Sequence, residues 1–373
     1  MRIAVIGNTP VNGGVAVAAD LALCGHDVAF APWPGEEKQL DPLLDQGGIR
    51  LEGETALALS GAGGLASLRL TASLPEALDG AELVLLDMAA PDFEMRFAQL
   101  LPVLARDQHV HVNMHGYWPA LRLAPLLRDA GREDVTISES TAPTHAAAYS
   151  DGVVSLQWVR RKVAVAVFPA ERSGAAMQTL SRAFEDLHAA ANVLETGFAG
   201  LNMMVHFPIV LVNIGWCERL ERRGADVPIY LSGMTRSASL LVDGQDGERR
   251  LVAQSFGSNH KSLAAYLCDY YDASGADALT AVAMSRYYRE LPPYPATAWR
   301  RWLSWDVPHG HVPMIEFADK AGIDAPLHKA AVSLASVFLE RDFHGEGLTL
   351  ERLGLAGLSI GQIRDYVDTG RMS

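Results

Sequence analysis

The chain has 373 residues, of which 49% are hydrophobic and 20% charged, and its formal net charge is -13. This length predicts two domains, because single hydrophobic cores stop growing near about 250–300 residues. The acidic balance argues against a nucleic-acid partner, since phosphate binding needs a basic surface.

Three scattered cysteines, Cys24, Cys217 and Cys268, fit a reducing compartment and lack the spacing of a metal site. No apolar run reaches the roughly 18–20 residues of a membrane span. The chain opens directly on a strand-like segment, which leaves no room for a signal peptide. We therefore expect a cytoplasmic protein with no metal and no membrane partner, and homodimer formation stays open.

The first 31 residues give a strand, a glycine turn, a helix and a second strand. Residues 2–6 are apolar and rich in β-branched side chains, residues 14–23 are rich in Ala and Leu, and a further strand is predicted near Val28. This order is typical of the opening unit of a dinucleotide-binding fold, in which the helix N-terminus faces a pyrophosphate.

The glycine loop departs from the usual G-x-G-x-x-G spacing. Residues 7–14 read GNTPVNGG, so that Thr9 and Asn12 stand at the second and third glycine positions. If the phosphate turn is formed by residues 12–14, the loop is about two residues longer than usual. The alternative is a doubly wound sheet that has lost its cofactor. We assign cofactor binding to the loop residues Gly7, Asn8, Thr9, Asn12, Gly13 and Gly14.

Strand and helix signals alternate as far as about residue 190. Such alternation predicts a mainly parallel sheet covered by helices, the doubly wound α/β class. We therefore predict a Rossmann-type dinucleotide-binding domain over residues 1–189. The further strands are predicted at 83–87, 109–112, 135–138 and 162–168, and the helices at 92–105, 121–130 and 173–190.

Helical patterns dominate the rest of the chain. We predict an all-helical substrate and catalytic domain over residues 190–373, with a ligand bound in the cleft between the domains. The helices are predicted at 201–222, 232–243, 247–268, 276–287, 312–321 and 326–341.

Two segments of the second domain carry residues suited to catalysis. His206 lies near the start of an apolar helix, where a lone histidine is usually a satisfied core residue. Residues 300–310, RRWLSWDVPHG, combine cations, an acid and two tryptophans in a predicted loop before a helix. Asp306 could simply cap that helix.

With these segments in view, the chain resembles the octopine/opine dehydrogenases nearly from end to end. The order of the matching segments makes chance a poor explanation. They are NGG at 12–14 followed by VAVAADLALCGHDV, GGI at 47–49, ANVLET at 191–196, the trio Asn202, His206 and Pro208, PAT at 295–297, DVPHG at 306–310, VP at 312–313 and GLTLERLGL at 347–355.

The resemblance implies an NAD(P)H-dependent oxidoreductase acting on CH–NH, which condenses an amino acid or amine with a 2-keto acid. It implies acid/base work for His206, a role as its orienting acid for Asp306, and a grip on a substrate carboxylate for Arg301. We also assign substrate binding to Asn202 and Trp305. Histidine alone titrates unperturbed near neutrality, and a guanidinium can hold a carboxylate bidentately.

The chain also departs from the family pattern. Met203 replaces a proline, Phe207 separates His206 from the following proline, and Trp305 stands where the family usually has an acid. We expect Met203, Trp305 and Tyr117 to shape an aromatic pocket. The neighbours of Arg301 predict a partly dehydrated cleft wall, and the alternative for Arg301 is a structural ion pair.

The choice of cofactor stays open. NAD enzymes place an acid at the end of the second strand, but here no acid follows until Glu36, and Lys38 is the nearest cation. Trp33 could stack on adenine or be a surface turn residue. Two other functions compete: reduction of a keto acid without amine condensation, and a non-catalytic nucleotide-binding module.

Overall fold

A computed structural model describes residues 1–8 and 13–372 of the chain, which divides into two compact units. The first comprises Met1–His115, Pro119–Thr196 and Val367–Gly370, and the second comprises Gly116–Trp118, Gly197–Tyr366 and the end of the chain from Arg371. The division after residue 189 stays a prediction, since the units change over seven residues later, at Thr196. The short excursion at Gly116–Trp118 has no signal in the sequence.

The first unit is built on an eight-stranded sheet with the order β12-β11-β8-β7-β6-β1-β2-β5. Its neighbouring strands are parallel except for the antiparallel pair β8 and β11. A second sheet, not predicted, has the order β4-β3-β10-β9. The strands are β1 Arg2–Ile6, β2 Asp27–Ala31, β3 Ile49–Gly53, β4 Gly64–Ala66, β5 Arg69–Leu70, β6 Leu83–Leu86, β7 His109–Val112, β8 Thr136–Ser140, β9 His145–Ser150, β10 Val153–Val159, β11 Val163–Phe168 and β12 Leu187–Ala189.

Helices cover the sheet and bury its central strands on both faces. Strand β6 is apolar and buried along its whole length, as expected for a central parallel strand. The helices are α1 Gly14–Leu23, α2 Asp41–Asp45, α3 Leu74–Leu78, α4 Phe93–Leu100, α5 Pro119–Asp129, α6 Ser173–Leu180 and α7 Val193–Phe198. The predicted doubly wound sheet is confirmed.

The second unit is helical, as predicted, with one short antiparallel ladder between β13 Asp226–Val227 and β14 Tyr294–Pro295. One π-helical turn, Val307–His311, joins two of its helices. The helices are α8 Asn202–Glu221, α9 Ile229–Gly233, α10 Arg236–Ser255, α11 Leu263–Tyr271, α12 Ala278–Met284, α13 Arg286–Glu290, α14 Ala298–Asp306, α15 Val312–Ala321, α16 Pro326–Leu339, α17 Phe343–Glu346 and α18 Ile360–Thr369.

Four predicted elements are wrong. The helix predicted at 247–268 is interrupted at 256–262, between α10 and α11. The helix predicted at 173–190 ends at Leu180, and Leu187–Ala189 pairs with β11 instead. Helix α10 runs through the predicted break at 243–247, because Gly244 serves close packing: a Cβ there would lie 2.5 Å from a methyl group of Leu327. The predicted loop at 300–310 is helical throughout.

By length and composition, one helical segment could cross a membrane, contrary to the expectation above. It spans Val193–Glu221, and 72% of its most apolar window is buried inside the structure. Residues 203–210 of helix α8 are all buried, and a helix that is apolar on every side belongs in a protein core. This burial explains the apolar sequence without a lipid partner.

Candidate active site

His206 and Asp306, 100 residues apart in the sequence, form a buried hydrogen-bonded pair in the second unit. The Nδ1 of His206 donates to Oδ2 of Asp306 at 2.6 Å, and the two side chains are 8% and 2% exposed. A carboxylate at Nδ1 fixes the tautomer of the neutral ring, so Nε2 carries the lone pair. The ring therefore has one nitrogen left for exchanging protons.

That second nitrogen already has a partner, Tyr230, which the sequence analysis missed. Its phenol donates to Nε2 of His206 at 2.6 Å. Tyr230 opens helix α9, 24 residues beyond His206, so no spacing rule connects the two. Burial raises the pKa of this phenol well above its usual value, and the nearby Tyr294 raises it further. The phenol therefore stays protonated.

Helix α14 holds the pair in place through two residues that lie one turn apart. Trp302 stacks on the imidazole of His206 with ring centroids 4.5 Å apart and an interplanar angle of 13°. Asp306 follows Trp302 by four residues, so both project from the same face of the helix. The loop predicted at 300–310 would not fix the spacing of these two side chains, whereas helix α14 places both of them against His206.

The other oxygen of the Asp306 carboxylate accepts a hydrogen bond from the phenol of Tyr117. Burial, followed by the charge of Asp306, raises the pKa of Tyr117 well above its usual value, which keeps the phenol a donor. The side chain of Asn202 also bonds to this phenol. Asn202 thus acts on Asp306 through Tyr117.

The backbone at Tyr117 and Trp118 is strained. Their φ angles are 69° and 60°, in the left-handed region that bulky residues rarely adopt. Such conformations cost of order 1–3 kcal/mol each and cluster at functional sites. A small recess adjoins this segment. It is lined by Tyr117, Trp118, Gly197, Gly200, Met203, His309 and Gly310. Met203 and Tyr117 therefore share a pocket as expected, whereas Trp305 is not among its lining residues.

Arg301 and Trp305 lie beside each other on α14, with the guanidinium 5.5 Å from the indole centre. Arg301 is exposed, so the predicted dehydrated wall is wrong: the neighbouring Trp302 turns inward to His206 instead. Among the described residues Arg301 makes no hydrogen bond or ion pair. This disfavours the structural ion pair and leaves the fork free for a carboxylate.

The glycine loop of the first unit lies at the carboxyl end of β1. Thr9 and Asn12 fall outside the described residues, while Gly7, Asn8, Gly13 and Gly14 are described. Helix α1 follows Gly13, an N-cap without a side chain, so its N-cap satisfies none of the first-turn N–H groups, although the Asp87 carboxylate accepts that of Gly14. The side-chain oxygen of Asn8 is buried without a partner among the described residues. Both features fit a bound dinucleotide.

Close packing explains two of the glycines. A Cβ at Gly13 would lie 2.8 Å from the carbonyl oxygen of His145, and one at Gly14 would lie 2.7 Å from the Asp87 carboxylate. That carboxylate accepts the N–H of Gly14. Asp87, which directly follows strand β6, was not predicted to take part. Its position at a strand end was the available signal.

Trp33 is neither a surface residue nor an exposed stacking platform. It is fully buried, and its Nε1 donates to the carbonyl of Asp87 at 3.0 Å. It therefore holds the backbone directly after strand β6 from inside the core. Among the described residues no group of three or more His, Cys, Asp or Glu side chains could hold a metal ion.

Comparison with known proteins places the chain among its relatives. The α-helical domain of the NAD/NADP octopine/nopaline dehydrogenases matches residues 189–339. An opine dehydrogenase of Arthrobacter sp. (strain 1C) is 29% identical over 362 residues, which are 96% of each chain. The chain is thus similar to the octopine/opine dehydrogenases in its helical unit and along almost its whole length. A vitopine synthase of Allorhizobium ampelinum is a further relative of the same kind, 25% identical over 46% of each chain.

Solved structures of opine dehydrogenases share the whole fold. Octopine dehydrogenase in complex with NADH and agmatine superposes with a TM-score of 0.76 at 16% identity, covering 100% of this chain and 99% of the other. Yersinopine dehydrogenase with bound NADP⁺ gives 0.67 at 14% identity, covering 98% and 97%. At these identities the likeness establishes the opine dehydrogenase fold, a Rossmann-type sheet followed by a helical unit.

Proposed function

We propose that this protein is an NAD(P)H-dependent opine dehydrogenase. It condenses the nitrogen of an amino acid or amine with the carbonyl of a 2-keto acid and reduces the resulting imine. The observation that carries this proposal is the buried His206–Asp306 pair, set in a chain that aligns over 96% of its length with an opine dehydrogenase. The nicotinamide, when bound, supplies the hydride.

His206 is the acid/base. Its Nδ1 is held by Asp306, whose carboxylate stabilises the imidazolium that forms when Nε2 takes a proton. The condensation needs both forms of the ring. The substrate ammonium must lose a proton before its nitrogen attacks, and the hydroxyl of the adduct must gain one before it leaves as water. A single group that can both take up and release a proton serves both steps.

Arg301 binds a substrate carboxylate through its free fork, and Asn202 and Trp305 complete the substrate-binding residues. The exposed guanidinium, without an ion pair among the described residues, supports this role for Arg301. The guanidinium of Arg301 lies over the indole ring of Trp305, and this cation–π contact limits the orientations of the guanidinium. Asn202 contributes through the phenol of Tyr117.

The loop residues Gly7, Asn8, Thr9, Asn12, Gly13 and Gly14 bind the dinucleotide. The start of α1, whose N-cap Gly13 has no side chain, and the side-chain oxygen of Asn8, which has no partner among the described residues, support this assignment. The relatives of known structure hold NADH in one case and NADP⁺ in the other. Glu36 does not act as a free ribose acceptor here, because it pairs with Arg96.

A matrix of 2-keto acids against amino acids and amines, run with NADH and with NADPH, tests the proposal. We expect oxidation of the reduced cofactor to require both substrates, and mass spectrometry to detect the secondary amine dicarboxylate or its amine analogue. Oxidation with a keto acid alone would instead establish a simple keto-acid reductase. Cofactor binding without turnover would establish a nucleotide-binding module. Homodimer formation and a cytoplasmic location stay predictions.

A further inference from the structure

The nitrogen of His206 that must serve the substrate is covered by Tyr230. The phenol oxygen lies 2.6 Å from Nε2, and Asp306 occupies Nδ1. A substrate atom can therefore reach Nε2 directly only if the phenol moves away. Otherwise the phenol itself stands between His206 and the substrate.

The packing around Tyr230 opposes such a movement. Its ring centroid lies 5.2 Å from that of Tyr288, 5.7 Å from that of Tyr294 and 5.7 Å from that of Trp302. The phenol oxygen lies on the axis of the ring, so a ring flip leaves it in place. Only a change at χ1 would displace the oxygen, and the three neighbouring rings block the ring's path.

Tyr230 is less deeply buried than the other ring that packs against His206. The residue keeps part of its surface exposed, whereas Trp302, which stacks on His206, is buried at 7% exposure. A phenol can accept a proton with its lone pair while it gives up its own, so it can pass a proton without becoming charged. The raised pKa of Tyr230 makes a free phenolate costly and favours such concerted passage.

We propose that Tyr230 is a catalytic residue that carries protons between His206 and the substrate oxygen and nitrogen. The proposal rests on the function proposed above. In the first half of the condensation, the substrate ammonium gives a proton to the Tyr230 oxygen, while the phenol proton moves to Nε2 of His206. The amine nitrogen then attacks the keto carbon.

The second half runs the same path in reverse. A proton passes from nitrogen to oxygen within the adduct, which yields its hydroxyl. The imidazolium of His206 then protonates the Tyr230 oxygen as the phenol proton moves to that hydroxyl. The C–O bond breaks, water leaves with the bonding electron pair, and the nitrogen lone pair forms the C=N bond. Tyr230 and His206 return to their starting forms, with Asp306 ionised throughout.

Tyr230→Phe tests the relay, because it keeps the ring and removes only the hydroxyl. We expect kcat to fall by about 10²-fold, the lower end for loss of an acid/base group, with unchanged affinity for the reduced cofactor and an unchanged Tm. The double variant with His206→Ala should lose no more than His206→Ala alone, because the two groups act as one unit. A kcat within about threefold of wild type, or above it, would overturn the proposal.

Tyr266→Phe is the matched control. Its phenol bonds to another histidine of the same unit, with the oxygen 3.0 Å from Nδ1 of His260. We expect no change in kcat, since neither residue belongs to the site. An equal loss in Tyr266→Phe and Tyr230→Phe would show that phenol removal merely disturbs the helical unit, which would also overturn the relay.

A 3,5-difluorotyrosine at position 230 separates proton transfer from mere orientation of His206. The fluorinated ring keeps its hydrogen bond but has a more acidic phenol. A relay predicts that the alkaline limb of the pH profile of kcat shifts to lower pH, and an unmoved profile would overturn it. If the wild type reduces a keto acid without an amine, the condensation fails as the proposed function. The relay can then still be measured on the alkoxide that such a reduction protonates.

Discussion

Tyr117 donates a hydrogen bond to the oxygen of Asp306 that His206 leaves free, although 189 residues separate Tyr117 from Asp306 in the sequence. Both oxygens of a buried carboxylate are thereby satisfied, one by a phenol and one by an imidazole. The backbone that presents the Tyr117 phenol is strained, with positive φ angles at Tyr117 and Trp118. The carboxylate in turn fixes the only tautomer of His206 that can work as proposed.

We predict that Tyr117→Phe destabilises the protein by about 1–3 kcal/mol, the usual cost of leaving a buried polar group without its partner. Denaturant unfolding measures this change. The control is Tyr149→Phe. Among the described residues its phenol accepts a hydrogen bond only from the N–H of Gly152 at a hairpin turn, so water can replace it. An unchanged free energy of unfolding in Tyr117→Phe would show that its phenol does not support Asp306.

We predict that His206→Ala lowers kcat by about 10²–10⁴-fold while the reduced cofactor still binds. Asp306→Asn should also lower kcat, because an amide cannot stabilise the imidazolium. The double variant should lose no more than His206→Ala alone, since the pair acts as a unit. Steady-state kinetics and cofactor titration measure these effects. Near-normal turnover in His206→Ala would refute the assignment.

We predict that Arg301→Lys raises KM for the keto acid or amino acid by about tenfold or more, because a lysine keeps the charge but loses the bidentate fork. The Tm should not change, since Arg301 has no ion pair among the described residues. Arg300→Lys is the control: Arg300 pairs with Glu221 at 3.3 Å and should leave KM unaltered. An Arg301→Ala variant with lower Tm and normal KM would contradict the clamp.

We predict that Gly13→Ala lowers Tm and weakens dinucleotide binding together. A Cβ there would lie 2.8 Å from the carbonyl oxygen of His145, so strand β9 or the loop must shift. Gly174→Ala is the control, because its Cβ would meet nothing within 4 Å and a helical Gly→Ala change is mildly stabilising. Calorimetry measures the change in Tm, and cofactor titration measures the change in dinucleotide affinity. Unchanged affinity in Gly13→Ala would place the phosphate turn elsewhere.

Glu139 makes stability depend on pH. It is fully buried on strand β8, and burial raises its pKa to about 7. One oxygen accepts the N–H of Ala120 at 2.7 Å, and the other lies 2.5 Å from the hydroxyl oxygen of Thr196. Because the folded state holds a proton that the unfolded state has released, the free energy of unfolding falls as the pH rises from 4.5 to about 7.

We predict that this fall amounts to about 3 kcal/mol for Glu139 and levels off above its raised pKa. Glu139→Gln, which resembles the protonated form, should remove the slope and be more stable than wild type at about pH 8. Denaturant unfolding across this pH range measures the difference. The exposed neighbour variant Glu133→Gln serves as the control and should keep the wild-type slope. A slope that persists in Glu139→Gln would rule out Glu139 as its source.

Local sequence predicted the parts of the fold that depend on local periodicity. The apolar runs of β1 and β6, the helix after the glycine loop and the change to a helical second unit all follow from patterns within about 20 residues. Two of the failures share a cause. The predicted break in α10 and the predicted loop at 300–310 contained Gly or Pro, and packing against Leu327 and the π-helical turn overrode those local preferences.

Sequence patterns were enough to identify the residue types of the site: a histidine in an apolar helix, an acid before a Val-Pro pair, and an arginine beside tryptophans. Which of these residues meet depends on how the helices pack. The packing brought Asp306 to Nδ1 of His206, placed Tyr230 on Nε2 and turned Arg301 to the surface. Hydrogen bonds of this kind join residues far apart in the chain, and their geometry depends on how whole helices pack. No local pattern encodes that geometry.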